Sequence, residues 1–211
     1  MNKNEIILVG GGGHCKSCVD VIESEGKYQI KGIIDLPHLL GTNTLGYPII
    51  GNDDDLPAFI EKGYSFLITM GHLGHATRRN QLFDSIASMG ALMPSIISSS
   101  ATVSNHSSIG NGTIIMHNAL VNAGVKIAAN CIINSGAIIE HDVCVEQHSH
   151  ISTGAILNGD VHVRSESLIG SGATVKNGIS IAKSSLIGMG AVVVKNIENS
   201  GTYIGNPARK I

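Results

Sequence analysis

The chain shows two different patterns of apolar residues. Over residues 1–92, short apolar runs alternate with amphipathic stretches. The runs IILVG, KGIID and YSFLITMG are typical of buried strands, whereas HCKSCVDVIESEG and ATRRNQLFDSIASMG are typical of helices that end at a glycine. Strands that alternate with helices predict a small parallel sheet with right-handed crossovers.

From Ile97 onward an aliphatic residue recurs at every sixth position, and the residue four positions later is nearly always small. Hexads of this kind predict a solenoid in which three hexads close a triangular coil of about 18 residues. The sequence therefore predicts a parallel β-helix over residues 93–211. The 17 aliphatic positions are Ile97, Val103, Ile109, Ile115, Val121, Ile127, Ile133, Ile139, Val145, Ile151, Leu157, Val163, Ile169, Val175, Ile181, Ile187 and Val193.

Composition argues against several classes of function. A net charge of −2, without a cluster of Lys and Arg, gives no general attraction to nucleic acid or to anionic lipid. Aromatic residues make up only 3% of the chain, too few for a base-stacking platform. The apolar run near the start is too short for a signal peptide or a membrane span. We expect a cytoplasmic protein with no nucleic-acid or membrane partner.

The four cysteines do not indicate a disulfide scaffold. Cys15 and Cys18 form a C-x-x-C pair, which suggests a redox site. Two residues of one helix face are the favoured interpretation, because the pair follows a glycine loop and no second pair completes a zinc site. Cys144 is the only candidate nucleophile near the histidine-rich segment, and its apolar neighbours do not favour a thiolate.

Titratable residues crowd into the segment IEHDVCVEQHSHIS, residues 139–152. His141 is flanked by Glu140 and Asp142 at a predicted corner of the coil, where its side chain should face outward. The residues one coil away are Ala123 and Gly159, which leave room beside the imidazole. A carboxylate next to an imidazole orients its tautomer and raises its basicity, so His141 is predicted to act as a general base.

Metal binding is the alternative for these histidines. A zinc site would need histidines that converge from stacked coils, but Ala123 and Asn105 lie below His141 and build no ladder. His141, His148 and His150 could meet only across subunits. We therefore predict no metal.

The whole chain resembles the NeuD/PglD family of bacterial sugar acetyltransferases. The stretches that carry the resemblance are IILVGGGGHCKS, IINSGAIIEHD, HSHISTGAILNGDVHV and the terminal YIGNPARKI. The resemblance implies a Rossmann-like sugar-nucleotide-binding domain over residues 1–92 and a left-handed β-helix acyltransferase domain over residues 93–211. It also implies a homotrimer with acetyl-CoA in the groove between two chains.

The resemblance also implies roles for single residues. His141 would be the proton acceptor, with Asp142 raising its basicity, although related enzymes have Glu at that position. His150 would contact acetyl-CoA, and Ser171 and Met189 would line the cofactor arm. Met189 stands where those enzymes have glycine.

The amino-terminal glycine loop would hold the sugar nucleotide. Glycine amides at a helix start cradle phosphates, and ligands bind at the carboxyl ends of parallel strands. A dehydrogenase is the alternative, but the G-x-G-x-x-G pattern that begins at Gly10 has Cys15 in place of its third glycine. The predicted substrate-binding residues are Gly12, Gly13, His14, Asp35 and Gly71.

The predicted activity is acetyl-CoA-dependent N-acetylation of a UDP-4-amino-6-deoxy sugar in bacterial surface glycan biosynthesis. O-acetylation of sialic acid or a related nonulosonate is the main alternative, because LNGDVHV and YPIIGND look more like that branch of the family. A non-enzymatic, sugar-nucleotide-binding scaffold is the third hypothesis. Outward-facing apolar residues favour a flank buried in a trimer; they are Ile114, Leu120, Ile132, Ile138, Ile156 and Leu168.

Overall fold

The computed structural model describes residues 4–72 and 77–211. Its N-terminal part is a five-stranded sheet in the order β3-β4-β2-β1-β5. All neighbours are parallel except β3, which is antiparallel to β4. The elements are β1 (Asn4–Val9), α1 (Gly13–Glu25), β2 (Tyr28–Ile34), β3 (Asn43–Thr44), β4 (Tyr47–Gly51), α2 (Leu56–Glu61), β5 (Ser65–Ile68) and α3 (Thr77–Ser88), with 3₁₀ turns at Pro37–Leu39 and Asp53–Asp55.

The strands and helices that apolar periodicity predicted in this part are present. Helix α1 ends at Gly26, which takes a left-handed conformation and bonds back to the carbonyl of Ile22. Strand β4 and helix α2 were not predicted. Strand β4 carries Pro48, which weakens a strand signal, and α2 is only 6 residues long.

The rest of the chain is a parallel β-helix of short strands in three sheets, here called faces 1, 2 and 3. Face 1 holds Ile96–Ile97, Ile114–Ile115, Ile132–Ile133, His150–Ile151, Leu168–Ile169, Ser185–Ile187, Gly201–Ile204 and, antiparallel to the last of these, Arg209–Lys210. Face 2 holds Thr102–Val103, Leu120–Val121, Ile138–Ile139, Ile156–Leu157, Thr174–Val175 and Val192–Val193. Face 3 holds Ser108–Ile109, Lys126–Ile127, Cys144–Val145, His162–Val163 and Ser180–Ile181. The predicted division after residue 92 stays a prediction.

Every one of the 17 hexad positions points into the core of the β-helix, as the sequence predicts. The small positions follow the prediction on two sides of the triangle only. On the third side, the position just before face 3 is a buried Val or Ile in successive coils. These larger residues are Val125, Val143, Val161, Ile179 and Ile197.

The corners of the coil need positive φ at a regular position. Glycine and asparagine supply it at many corners, as expected, because they tolerate the left-handed conformation best. Asp142 and His148 supply it as well, with φ of 62° and 61°. These two residues therefore have the same left-handed backbone conformation as the glycines at other corners.

The N-terminal domain covers the lower coils of face 1. Ile96, Ile114 and Ile132 point outward from the β-helix but are buried in the same apolar cluster as Ile6 and Leu8 of β1. Two of the six apolar residues assigned to a trimer flank, Ile114 and Ile132, are therefore buried within one chain. That part of the prediction was wrong, because the pattern of outward residues does not reveal which element covers them.

Polar contacts cross the same junction. The guanidinium of Arg79, on α3, is buried and donates to the carbonyls of Ile68 and Met70 in its own domain, at 2.7 and 2.8 Å. It also approaches the carbonyl of Asn130 in the β-helix at 3.5 Å. Asp20 of α1 bonds the Nε2 atom of His117 across the junction at 2.8 Å. No helix of the described residues is long and apolar enough to span a membrane.

Burial at the junction predicts different costs for two outward positions of face 1. Ile132→Ala should lower the free energy of unfolding by about 2–5 kcal/mol, because its side chain is fully enclosed. Leu168→Ala, two coils away on the same face and only partly buried, should cost clearly less. Urea unfolding of both variants measures the difference, and equal losses would contradict the described junction.

Candidate active site

His141 stands on the corner between faces 2 and 3 and is exposed, as the sequence predicts. Its Nδ1 atom lies 2.9 Å from Oδ2 of Asp142, and the two side chains are 60% and 67% exposed. A carboxylate on Nδ1 fixes the tautomer in which Nδ1 carries the proton. Nε2 is then free to accept a proton from a substrate.

Two glycines make room for this pair. A Cβ at Gly159, one coil above His141, would lie 2.5 Å from Cε1 and 2.6 Å from Nε2 of the imidazole. A Cβ at Gly124, one coil below Asp142, would lie 2.4 Å from Oδ1 of the carboxylate. The imidazole and the carboxylate are therefore seated on bare backbone. The prediction that small residues flank His141 is confirmed.

Negative charge surrounds the imidazole. The hydrogen bond that Nδ1–H of His141 donates to Asp142 is the largest cause that raises the pKa of His141, and the charges of Asp142, Glu140 and Asp160 act in the same direction. Glu140 is held beside the corner because its Oε2 atom accepts a hydrogen bond from Asn122 at 2.9 Å. This arrangement makes His141 a stronger base than an isolated imidazole.

The remaining titratable residues of segment 139–152 lie away from the His141 corner. Glu146 lies on face 3, where its carboxylate accepts from His162 at 3.0 Å, Arg164 at 3.2 Å and the N–H of Ser165 at 2.9 Å. His148 is buried at the junction, where its ring meets Phe83 edge-on at 5.7 Å.

His148 links the β-helix to α3. Its Nδ1 atom accepts from the amide of Asn130 at 2.9 Å, and Nε2 lies 3.6 Å from Asp84 of α3. Burial lowers its pKa. Neither His148 nor the Glu146 group is part of the His141 corner. The crowding of charges in one segment therefore reflects three separate sites that the hexad repeat displays in different directions.

His150, predicted to contact acetyl-CoA, lies on face 1 and is only 7% exposed. Its Nδ1–H donates to the carbonyl of His72 at 3.0 Å, and Nε2 accepts from the amide of Asn134 at 3.2 Å. Burial lowers its pKa to about 4, so the ring is neutral. Its role toward the cofactor stays a prediction.

Ser171 and Met189, predicted to line the cofactor arm, are stacked on the corner between faces 1 and 2. The carbonyl of Ser171 accepts from Gly190, and the carbonyl of Thr153 accepts from Gly172, so successive coils superimpose there. Met189 is 82% exposed. This column is continuous, accessible and made of short side chains as far as Met189.

A cavity of about 590 Å³ opens at the carboxyl ends of the N-terminal strands. All five predicted substrate-binding residues line it. They are Gly12, Gly13, His14, Asp35 and Gly71.

The start of α1 forms one wall of this cavity. Gly12 caps the helix without any side-chain hydrogen bond, and the first turn contains no acidic residue. The first amides are therefore open to an anion. Asp35 has a structural role as well, because its carboxylate accepts from the N–H of Gly11 at 2.6 Å and of Leu36 at 2.7 Å.

His14 connects the cavity with the junction. Burial is the largest cause that lowers its pKa to about 4, and the charge of Arg79 adds to the effect. Its Nε2 atom is buried and has no hydrogen-bond partner among the described residues. A neutral imidazole with one unused nitrogen can donate to or accept from a bound ligand.

Sequence reasoning missed part of the cavity wall. Asn52, Asp53 and Asp54 line it from the 3₁₀ turn after β4, and Arg78 lines it from α3. The run NDDD was visible in the sequence, but β4 was not predicted, so nothing placed this run at the carboxyl edge of the sheet.

The C-x-x-C pair is not exposed to a redox partner. Cys15 and Cys18 are fully buried on one face of α1, and burial raises the pKa of both thiols. Cys144 also has a raised pKa, chiefly through burial. No group of three or more His, Cys, Asp or Glu residues suited to a metal ion occurs within the described ranges.

His117 has no acidic neighbour in sequence. It is paired with Asp20 of α1, and its Nδ1 atom lies 2.6 Å from Oγ of Ser98. The tertiary fold supplies the carboxylate that the local sequence lacks. His72 is buried, and His75 lies outside the described residues.

Comparison with known proteins adds independent information. The profile of the PglD N-terminal domain matches residues 5–86, and the profile of the bacterial transferase hexapeptide (six repeats) matches residues 106–141. The acetyltransferase domain of PglB from Neisseria gonorrhoeae FA1090, solved in complex with acetyl coenzyme A, is 30% identical, with 100% of each chain covered and a TM-score of 0.92.

The chain belongs to the NeuD/PglD family of bacterial sugar acetyltransferases. Members of this family transfer acetyl groups from acetyl-CoA, and the chain is an enzyme of this kind. The predicted fold class, a Rossmann-like domain followed by a left-handed β-helix, is confirmed. No curated protein sequence matches the chain.

Two further solved structures are similar to this family member. PerB from Caulobacter crescentus, in complex with CoA and GDP-perosamine, is 29% identical over 99% of this chain and 97% of that chain, with a TM-score of 0.88. WeeI from Acinetobacter baumannii AYE is 22% identical over 99% and 100% of the two chains, with a TM-score of 0.77, and supports the fold alone.

Because the imidazole of His141 packs directly on Gly159, adding one methyl group at position 159 should disturb the ring. Gly159→Ala should displace the imidazole, because the ring is the flexible partner in a contact that becomes too short. We expect kcat to fall at least about tenfold, as small displacements of catalytic groups do, with little change in melting temperature. Asn177→Ala, one coil further along the same corner, is the control. An active Gly159→Ala enzyme would contradict the described seat.

Proposed function

We propose that this enzyme N-acetylates a nucleotide-activated amino sugar, a UDP-4-amino-6-deoxy sugar in the first instance, with His141 as general base. The observation that carries the proposal is the exposed imidazole whose Nδ1 atom lies 2.9 Å from Asp142, so that Nε2 is left to accept a proton. The complex of PerB with CoA and GDP-perosamine supports the same class of acceptor. It also makes GDP a second candidate nucleotide.

In the proposed mechanism, Nε2 of His141 takes a proton from the sugar amine as the amine attacks the thioester carbonyl of acetyl-CoA. When the tetrahedral intermediate collapses, the C–S bond breaks and the imidazolium returns the proton to the departing CoA thiolate. Asp142 orients the ring and stabilises the imidazolium that forms. Backbone N–H groups at the coil edge would stabilise the oxyanion. General base catalysis of this kind contributes about 10²- to 10⁴-fold. No covalent acyl-enzyme is required, because the described thiols are not activated.

Binding is proposed to be divided between the two domains. The glycine loop and the open amides of α1 suit the diphosphate of the sugar nucleotide, with Gly12, Gly13, His14, Asp35 and Gly71 around it. His150, Ser171 and Met189 are the proposed contacts of acetyl-CoA in the β-helix. The acetyl-CoA complex of the PglB domain supports such a cofactor site.

We also propose a homotrimer. His141 does not line the sugar-nucleotide cavity of its own chain. Leu120, Ile138 and Ile156 form a partly exposed apolar stripe on face 2, next to the His141 corner. Packing this stripe against a neighbour would bury it and bring a second chain to the corner. The particle in solution should then have three times the chain mass of 22.0 kDa.

Acceptor assays test the proposed function. With acetyl-CoA, the enzyme should acetylate a UDP-4-amino-6-deoxy sugar or GDP-perosamine, detected by mass spectrometry of the product. His141→Asn should lower turnover at least about a hundredfold while the fold is kept. Full activity in that variant would contradict His141 as the general base, whereas no product on any acceptor would favour a binding scaffold. Product on sialic acid alone would instead establish the O-acetyltransferase.

The pH profile tests the role of Asp142. His141 must be neutral to accept a proton, so activity should rise as pH passes the pKa of His141, which Asp142 raises. Asp142→Asn removes that effect, so the acidic limb of the kcat profile should move to lower pH while the maximal rate falls. Asp160→Asn, whose charge acts on the imidazole more weakly, is the control. An unmoved limb in Asp142→Asn would argue that Asp142 does not tune the base.

A further inference from the structure

The negative charges around the N-terminal cavity would repel its proposed ligand unless a positively charged side chain offsets them. Asp35, Asp53 and Asp54 line the cavity, and the neutral His14 offers no positive charge. Among the described lining residues, Arg78 is the only full positive charge. A sugar nucleotide brings a doubly negative diphosphate into this surrounding.

The start of α1 cannot balance that charge alone. A helix N-terminus is equivalent to about half a positive charge. Arg78 enters the same cavity from α3. A guanidinium presents several N–H donors in one plane, which matches the oxygens of a phosphate.

The present partner of Arg78 is easily exchanged. Within the described residues, its guanidinium is hydrogen bonded only to the carboxylate of Asp53. The two side chains are 55% and 39% exposed, and exposed ion pairs contribute little to stability. The capping box of the turn uses Asn52 and Asp55, so the carboxylate of Asp53 is not needed to hold the turn.

We propose that Arg78 binds the diphosphate of the sugar nucleotide and that Asp53 competes with the diphosphate for its guanidinium. The inference rests on the proposed function, because it takes this cavity as the sugar-nucleotide site. Asp53 then acts as a counter-charge that lowers affinity and eases release of the product. Arg78 and Asp53 therefore have opposite effects on binding, although they form one ion pair.

Calorimetric titration of the full chain with UDP, GDP and dTDP tests the proposal. The nucleotide that binds the wild type most tightly is then titrated into the variants. Arg78→Ala should weaken its binding about tenfold or more, as expected for a lost hydrogen bond to a charged group. Binding of the matching nucleoside should not change. Arg78→Lys keeps the charge but not the planar set of N–H donors, so its affinity for the nucleotide should lie between those of the wild type and Arg78→Ala. In kinetics the loss should appear in KM rather than in kcat.

Asp53→Asn supplies the test of sign. It removes the competitor and one negative charge, so nucleotide binding should tighten a few-fold. Lys31→Ala is the control, because it breaks an exposed ion pair with Glu5 in the same domain without lining the cavity. Melting temperatures of all variants establish that they are folded.

The outcomes separate the two levels of inference. Wild-type affinity in Arg78→Ala, or weaker binding in Asp53→Asn, overturns the role of Arg78 and shows the pair to be a structural brace. Either result leaves the proposed function intact, provided the wild-type enzyme binds a nucleoside diphosphate. A wild-type enzyme that binds none of the three and acetylates no sugar nucleotide overturns the proposed function, and the role of Arg78 with it.

Discussion

Backbone hydrogen bonds between successive coils place residues that are 18 positions apart side by side, and so decide which side chains become neighbours in the β-helix. The N–H of Asp142 bonds the carbonyl of Ala123, and the N–H of Asp160 bonds the carbonyl of His141. The same register pairs Leu120 with Ile138 and Ile138 with Ile156 on face 2. Because this register is constant, a residue's position along the chain fixes both its face and its height.

The chemistry of the His141 corner depends on that register. The ring needs bare backbone above it, and the carboxylate needs bare backbone below it. Gly159 and Gly124 meet these needs only because each lies one coil away in the right column. A change of one residue in coil length would replace both glycines as neighbours. The proposed catalytic pair therefore depends on two adjacent residues and on the coils above and below them.

Periodicity made most of the β-helix predictable from sequence. The hexads gave the core, the corners and the neighbours of His141, because they depend on spacing alone. Residues at the domain junction were harder. Ile114 and Ile132 look the same in sequence as Leu168, yet the N-terminal domain covers only the first two completely. The pairing of His117 with Asp20 joins residues 97 positions apart, and no local pattern contains such a contact.

The N-terminal cavity was predicted in part for a related reason. The glycine loop and Asp35 follow strands with strong apolar signals, so their place at the carboxyl edge could be derived. Strand β4 contains a proline and pairs with β2 at few positions, so the residues after it had no predicted place. Arg78 starts a helix whose periodic pattern was clear, but the side from which that helix approaches the sheet is a tertiary property.

The exposed column that leads from Thr153 through Ser171 to Met189 has a consequence for the size of molecule it can accommodate. Neighbouring parallel strands lie about 4.8 Å apart, so each additional coil extends the column by that length. The length of an extended arm that can lie along this corner is then set by the number of coils. Gain or loss of one coil during evolution would change the length of the column by one strand spacing, while the His141 corner kept its own geometry.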